Sequence, residues 1–398
     1  MKPAAPSLPD SVSAASTPSP AAAATARYAR GLLALAALGI PISLLWDFSW
    51  ESTIGVDLVW APPHLASYAV MALAGGAVLA LVASTSSCPV ARLGAVRLGH
   101  CYAPFGGWMA AWGALAFPAA VLFDRWWQST YGLAAGIWHP PQILKAAAFL
   151  AVVGGAALVA LSRQNQARTG QTRGWAAVYA MTGGVVLALL TVMMMTSQYP
   201  NRQHTAPFYQ LACATYPVVL VALATAGRGR WPATTAAAFY TLLICSLLWV
   251  LPLFPARPQA APVYHSLDHL MPPPFPLLLI LPGVVLDALF RQVPWPSGGV
   301  WAWGRGVVAG LAFFIVFLSV QWLFAEFLLT DLADNRFFVG GGRHWPFFLK
   351  IDPLARVAFW ESPADELTWT RAALAGAMAV GAALAGLGWG GWMKRVQR

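Results

Sequence analysis

Apolar residues run almost unbroken through ten stretches of this chain, at about 28 to 46, 63 to 83, 104 to 122, 140 to 162, 175 to 196, 206 to 226, 234 to 254, 273 to 290, 306 to 329 and 367 to 392. Each is close to the ~20 residues that an α-helix needs to cross a bilayer. Their hydrophobicity is continuous, whereas a barrel strand would alternate, and an open sheet edge cannot face lipid. The pattern predicts an all-α, multi-pass transmembrane bundle of about ten spans. Residues 1 to 26 are Pro, Ala, Ser and Thr with almost no large apolar side chain, which predicts a disordered tail ahead of a polytopic domain over 27 to 398. That tail lacks the apolar core of a signal peptide and is expected to stay uncleaved in the cytoplasm.

The polar stretches between the spans are not random connectors. Residues 46 to 64, WDFSWESTIGVDLVWAPPH, recur over 123 to 142 as FDRWWQSTYGLAAGIWHPPQ. Asp47, Trp50, Ser52, Thr53, Gly55, Trp60, Pro62 and Pro63 return as Asp124, Trp127, Ser129, Thr130, Gly132, Trp138, Pro140 and Pro141. Prolines beside His or aromatic residues recur in the later outer loops, so the chain reads as repeated helical hairpins. Within the repeat the ionisable positions are what differ. Glu51 becomes Gln128, His64 becomes Gln142, and Asp57 has no acidic counterpart.

Composition changes the picture by closing off alternatives. The 398 residues are 59% hydrophobic and only 10% charged, with a mean hydropathy of +0.62. A soluble domain would carry roughly a quarter charged residues. The net charge of +10 does not imply nucleic acid, because basic cytoplasmic loops give an ordinary membrane protein the same excess. Arg92 and Arg97, then Arg163, Arg168 and Arg173, then Arg228 and Arg230, then Arg291 and Arg305, and finally Lys394, Arg395 and Arg398 fall in alternate connections. Their bias predicts a plasma (inner) membrane protein of the bacterial type with both termini cytoplasmic. The expected partner is the lipid bilayer, with other membrane subunits left open.

Most acidic residues and six of the seven histidines then fall on the outer side. Glu51, Asp57 and His64 come from the first outer loop and the following helix start. His265 and His269, four residues apart with Asp268 beside them, would point the same way on a helix, a spacing used for metal binding. Imidazole and carboxylate without thiol suit copper or zinc. His139 and His204 are the candidates for proton transfer beside such a site. The long segment 330 to 366 is expected to lie over it as a lid.

Each feature has a plainer reading. Outer tryptophans form interfacial belts, Lys145 can snorkel to the headgroups, and Asp287 with Arg291 suits a structural pair. No GxSxG, HExxH, GxGxxG or CxxCH string is present, so no enzyme class is assigned. Three readings stand: a metal-binding or catalytic cavity at the extracytoplasmic face, a cation or proton transporter with an outer vestibule, and a non-catalytic subunit of a membrane complex.

Overall fold

The computed structural model describes residues 20–55, 59–132, 139–167, 172–195, 202–257, 269–293, 299–328, 330–333 and 365–397. Among them lie the α-helices α1 (Pro20–Thr53), α2 (Pro62–Ser86), the short α3 (Pro89–Leu93), α4 (Phe105–Tyr131), α5 (Pro140–Gln166) and α6 (Thr172–Met195). These are followed by α7 (Ala206–Ala226), α8 (Pro232–Val250), α9 (Ile280–Arg291), α10 (Gly299–Leu328) and α11 (Trp369–Met393). A two-stranded hairpin, β1 (Val96–Leu98) with β2 (Cys101–Ala103), joins α3 to α4. Nine of the described helices are long and apolar enough to cross a membrane, all except α3 and α9. The architecture is an all-α multi-pass bundle.

Two boundaries differ from the sequence pattern. Helix α1 begins at Pro20, inside the stretch read as a tail, because a proline in the first turn and an alanine run favour helix without needing a core. It also continues to Thr53, past the expected end at Trp46. Polar residues do not stop a helix by themselves, and this one ends only where Gly55 takes φ 80°, a conformation that favours glycine.

The chain divides into two compact units, one of residues 1–37, 69–166 and 397–398, the other of residues 38–68 and 167–396. In the first, α4 and α5 meet through glycines. A Cβ added to Gly113 would stand 2.6 Å from the Ala148 carbonyl oxygen, so the two backbones approach as closely as small residues allow. In the second unit, Gly386 of α11 is seated in the same way against Val218 of α7. Phe208, Phe313 and Phe317 fill the space between α7 and α10, with Phe313 and Phe317 stacked at 5.4 Å.

Helix α9 clamps the turn between α7 and α8. The buried Asp287 carboxylate accepts hydrogen bonds from the Thr234 amide and hydroxyl, each at 2.8 Å, and from the Ala233 amide at 3.3 Å. Arg291 donates to the Gly227 carbonyl at 2.7 Å. A negative group at the start of α8 and a positive one at the end of α7 both oppose the helix dipoles. The sequence suggested that these two residues pair with each other; the structure gives Asp287 its hydrogen bonds at the start of α8 and Arg291 its own at the residue that follows α7.

The eighth expected span, over 273 to 290, is not a continuous helix. Residues 271 to 279 run without helical or strand structure, and the helix starts only at Ile280. Pro272, Pro273, Pro274 and Pro276 explain this, since each lacks an N–H and disfavours the helical region for the residue before it. Met271 through Pro274, Leu277 and Leu279 are nevertheless buried. Irregular backbone at this depth requires protein partners for its polar groups. The Met271 amide donates to Thr53 Oγ1 at 3.1 Å and its carbonyl accepts from Ser49 Oγ. The Leu277 amide donates to the Tyr240 hydroxyl at 3.0 Å, and the Leu278 amide to Gln321 Oε1 at 2.9 Å.

Candidate functional site

The extension of α1 decides the geometry of the site. Asp47 and Glu51 stand one turn apart in its last two turns, on one face. His64 is the third residue of α2, after Pro62 and Pro63. Together these three residues offer one imidazole nitrogen and two carboxylate oxygens that all lie within 4.8 Å of one another. His64 Nε2 is 3.2 Å from Asp47 Oδ1, and both side chains are about four-fifths buried. The imidazole is held from behind by Tyr68, whose ring stacks on it at 6.4 Å and whose hydroxyl donates to the Val59 carbonyl at 3.1 Å. Among the described residues this is the group that could hold an ion.

The surroundings favour a cation. The two carboxylates sit at the C-terminal, negative end of α1, and His64 sits at the N-terminal, positive end of α2. Helix dipoles therefore favour a positive charge beside the carboxylates. Neutral imidazole with two carboxylates is a donor set for zinc or copper(II). Two ligands of one tetrahedral zinc at about 2.1 Å stand about 3.4 Å apart, close to the His64–Asp47 separation. Glu51 completes the set after an adjustment of about 1 Å, within the freedom of its side-chain torsions.

The remaining residues proposed from the sequence are placed as follows. Asp57, His265 and Asp268 lie outside the described residues, as does most of the lid segment. At the two ends of that segment, Asp331–Ala333 forms a 3-10 turn and the Asp365 carbonyl accepts from the Ala206 amide at 2.8 Å. His269 is not part of the group with Asp47 and Glu51. Its strand-like segment pairs with Pro255 and is tied through Met271 to Ser49 and Thr53. Those two residues occupy the face of α1 about 200° round from Asp47 and Glu51, given ~100° per residue.

His139 precedes α5, and its ring lies parallel to Trp127 at 6.3 Å. His204 is buried just before α7, edge-on to Trp322 at 4.6 Å, with Nε2 3.3 Å from Glu326 Oε1. Burial pushes its imidazole down to about 4, against the pull of the Glu326 carboxylate.

Asp47 is the member of this triad that sequence reasoning passed over, because its counterpart Asp124 made it look like shared scaffold. In the second hairpin Asp124 accepts from Lys145 Nζ at 2.7 Å and from Gln128 Nε2 at 3.4 Å. Lys145, expected to snorkel, is instead the partner of a buried carboxylate.

Comparison of the chain with protein-family models, with curated proteins and with solved structures finds no match. The fold and the site define it as a multi-pass integral membrane protein carrying a His/carboxylate triad.

Proposed function

We propose that this protein is a metal-dependent membrane protein whose ion is held at the extracytoplasmic ends of α1 and α2 by Asp47, Glu51 and His64. The observation that carries this reading is the convergence of one imidazole and two carboxylates within 4.8 Å, with His64 and Asp47 already at ligand-to-ligand spacing. The alternating arginine loops support the outer placement, in a plasma membrane of the bacterial type. Zinc or copper fits the donor types. Three protein ligands leave a position open, and an ion there would polarise an oxygen ligand or lower the pKa of a bound water. The chain's own part is to fix the imidazole by Tyr68, to supply two acceptors, and to limit water through the burial of both partners. His204 remains the proposed proton-transfer group, and Asp57, His265 and Asp268 the proposed additional donors.

The test is elemental analysis of the purified protein, unmodified and as His64→Ala. About one equivalent of zinc or copper, lost in the variant, is the expected result for a three-residue site. Absence of any transition metal from the unmodified protein, under conditions that preserve a control metalloprotein, would overturn the reading.

One observation favours a second reading, that of a cation or proton transporter. The buried, unwound segment 271 to 279 resembles the broken helices that line ion sites in transporters. Against it, the Leu277 and Leu278 amides are already satisfied by Tyr240 and Gln321, as a purely structural break requires. Cation uptake into proteoliposomes that survives His64→Ala and fails when Gln321 is replaced would favour the transporter.

A further inference from the structure

The two hairpins are internal copies, and the structure extends their match beyond the shared string. Pro41 stands inside α1 six residues before Asp47, and Pro118 stands inside α4 six residues before Asp124. Gly55 and Gly132 follow the helix ends with φ of 80° and 83°. Pro62 and Pro140 open the next helices. Each copy thus places an aspartate in the penultimate turn of one helix opposite the first turns of the next.

What fills the space beside that aspartate differs. In the second copy Lys145 reaches Asp124 at 2.7 Å, while Gln128 and Gln142 occupy the positions of Glu51 and His64. In the first copy the position of Lys145 is taken by Ser67, which is buried and lies three residues after His64 on the same helix face. The second copy balances one carboxylate with one ammonium. The first gathers two carboxylates and a histidine with no ammonium among the three.

Resting on the metal reading above, we infer that the Lys145 ammonium stands where the bound cation stands in the first copy. The second hairpin is then the self-neutralised form of one device, closed by a cation tethered to its own chain. The first hairpin is its exchangeable form, closed by a divalent transition-metal ion that joins the end of α1 to the start of α2.

The test exchanges the two sets of residues and reloads each metal-stripped protein with Zn2+ alone. Gln128→Glu, Gln142→His and Lys145→Ser, introduced together, should raise bound zinc from about one equivalent to about two, the tetrahedral donor set now being present twice. Glu51→Gln, His64→Gln and Ser67→Lys should abolish zinc binding, and should leave a protein whose Tm a chelator no longer moves while that of the unmodified protein falls. If the unmodified protein binds one equivalent and the first variant folds yet still binds only one, the correspondence is wrong while the metal reading stands. No zinc in the unmodified protein removes both. Should the first variant fail to fold, the second decides: a chelator-insensitive Tm at or above that of the metal-stripped protein supports the inference, and a lower one overturns it.

Discussion

The backbone amide of Leu278 donates to Oε1 of Gln321 at 2.9 Å, while Nε2 of the same side chain donates to Gln203 Oε1 at 2.7 Å. One fully buried amide group thus ties a proline-broken segment to the stretch that leads into α7. Gln321→Leu should strand the Leu278 amide, and an unsatisfied buried group costs about 1–3 kcal/mol. Chemical unfolding in detergent measures the loss. Ser319→Ala, on an exposed face of the same helix, should change stability by less than about 0.5 kcal/mol.

Removing the ammonium from the second hairpin should be more damaging than removing the carboxylate with it. Lys145→Met leaves the buried Asp124 charge without its partner, a change that costs about 3–5 kcal/mol when such a pair is broken from one side. Asp124→Asn in the same chain should recover most of that loss, because the charge disappears with its partner. Equal destabilisation of the single and double variants would show that the pair contributes only packing.

Stability should depend on pH through His204. Its folded pKa, near 4, lies below the ordinary value of about 6.5, so the unfolded chain takes up a proton first as the solution is acidified. The contribution is fully present above about pH 6.5 and is lost progressively as pH falls toward 4. His204→Gln should flatten the Tm profile across this window while leaving the region above pH 7 parallel to that of the unmodified protein. An unchanged slope would mean that other groups carry the acid sensitivity.

Loss of a single ligand should be visible in affinity as well as stoichiometry. Asp47→Asn keeps the size of the side chain at 3.2 Å from His64 Nε2 but removes the anionic donor. Zinc affinity should fall by at least the about 10–100-fold that loss of an outer-sphere partner costs. Competition with a chromophoric chelator reads this, and Ser129→Ala, on the exposed end of α4, serves as the reference variant.

Hydropathy was enough to read the bundle and most of its helices, because lipid exposure leaves little freedom in composition. Glu51 and His64 stood out because the second copy lacks them, and the structure groups both with Asp47. Asp47 did not stand out, since the comparison that exposes differences hides whatever both copies share. Its i, i+4 relation to Glu51 becomes visible only once α1 is known to run on to Thr53. The partner of Lys145 was equally hidden, being twenty-one residues away on the preceding helix. The broken span escaped because a hydropathy window counts proline as neutral, and a single proline suits a helix start. Four of them within Pro272 to Pro276 instead hold the backbone extended.

That break bears on how the chain enters the membrane. Twelve residues of α9 rise only about 18 Å, short of the ~30 Å hydrocarbon core, and the preceding stretch carries amides that lipid cannot satisfy. The partner of the Leu278 amide lies 43 residues further along the chain, so it is synthesised after the segment that needs it. The earlier hairpins can be inserted one after another as they are made. The Leu278 amide is therefore satisfied only once α10 is in place, whereas the Met271 and Leu277 amides find their partners on helices that precede them in the chain.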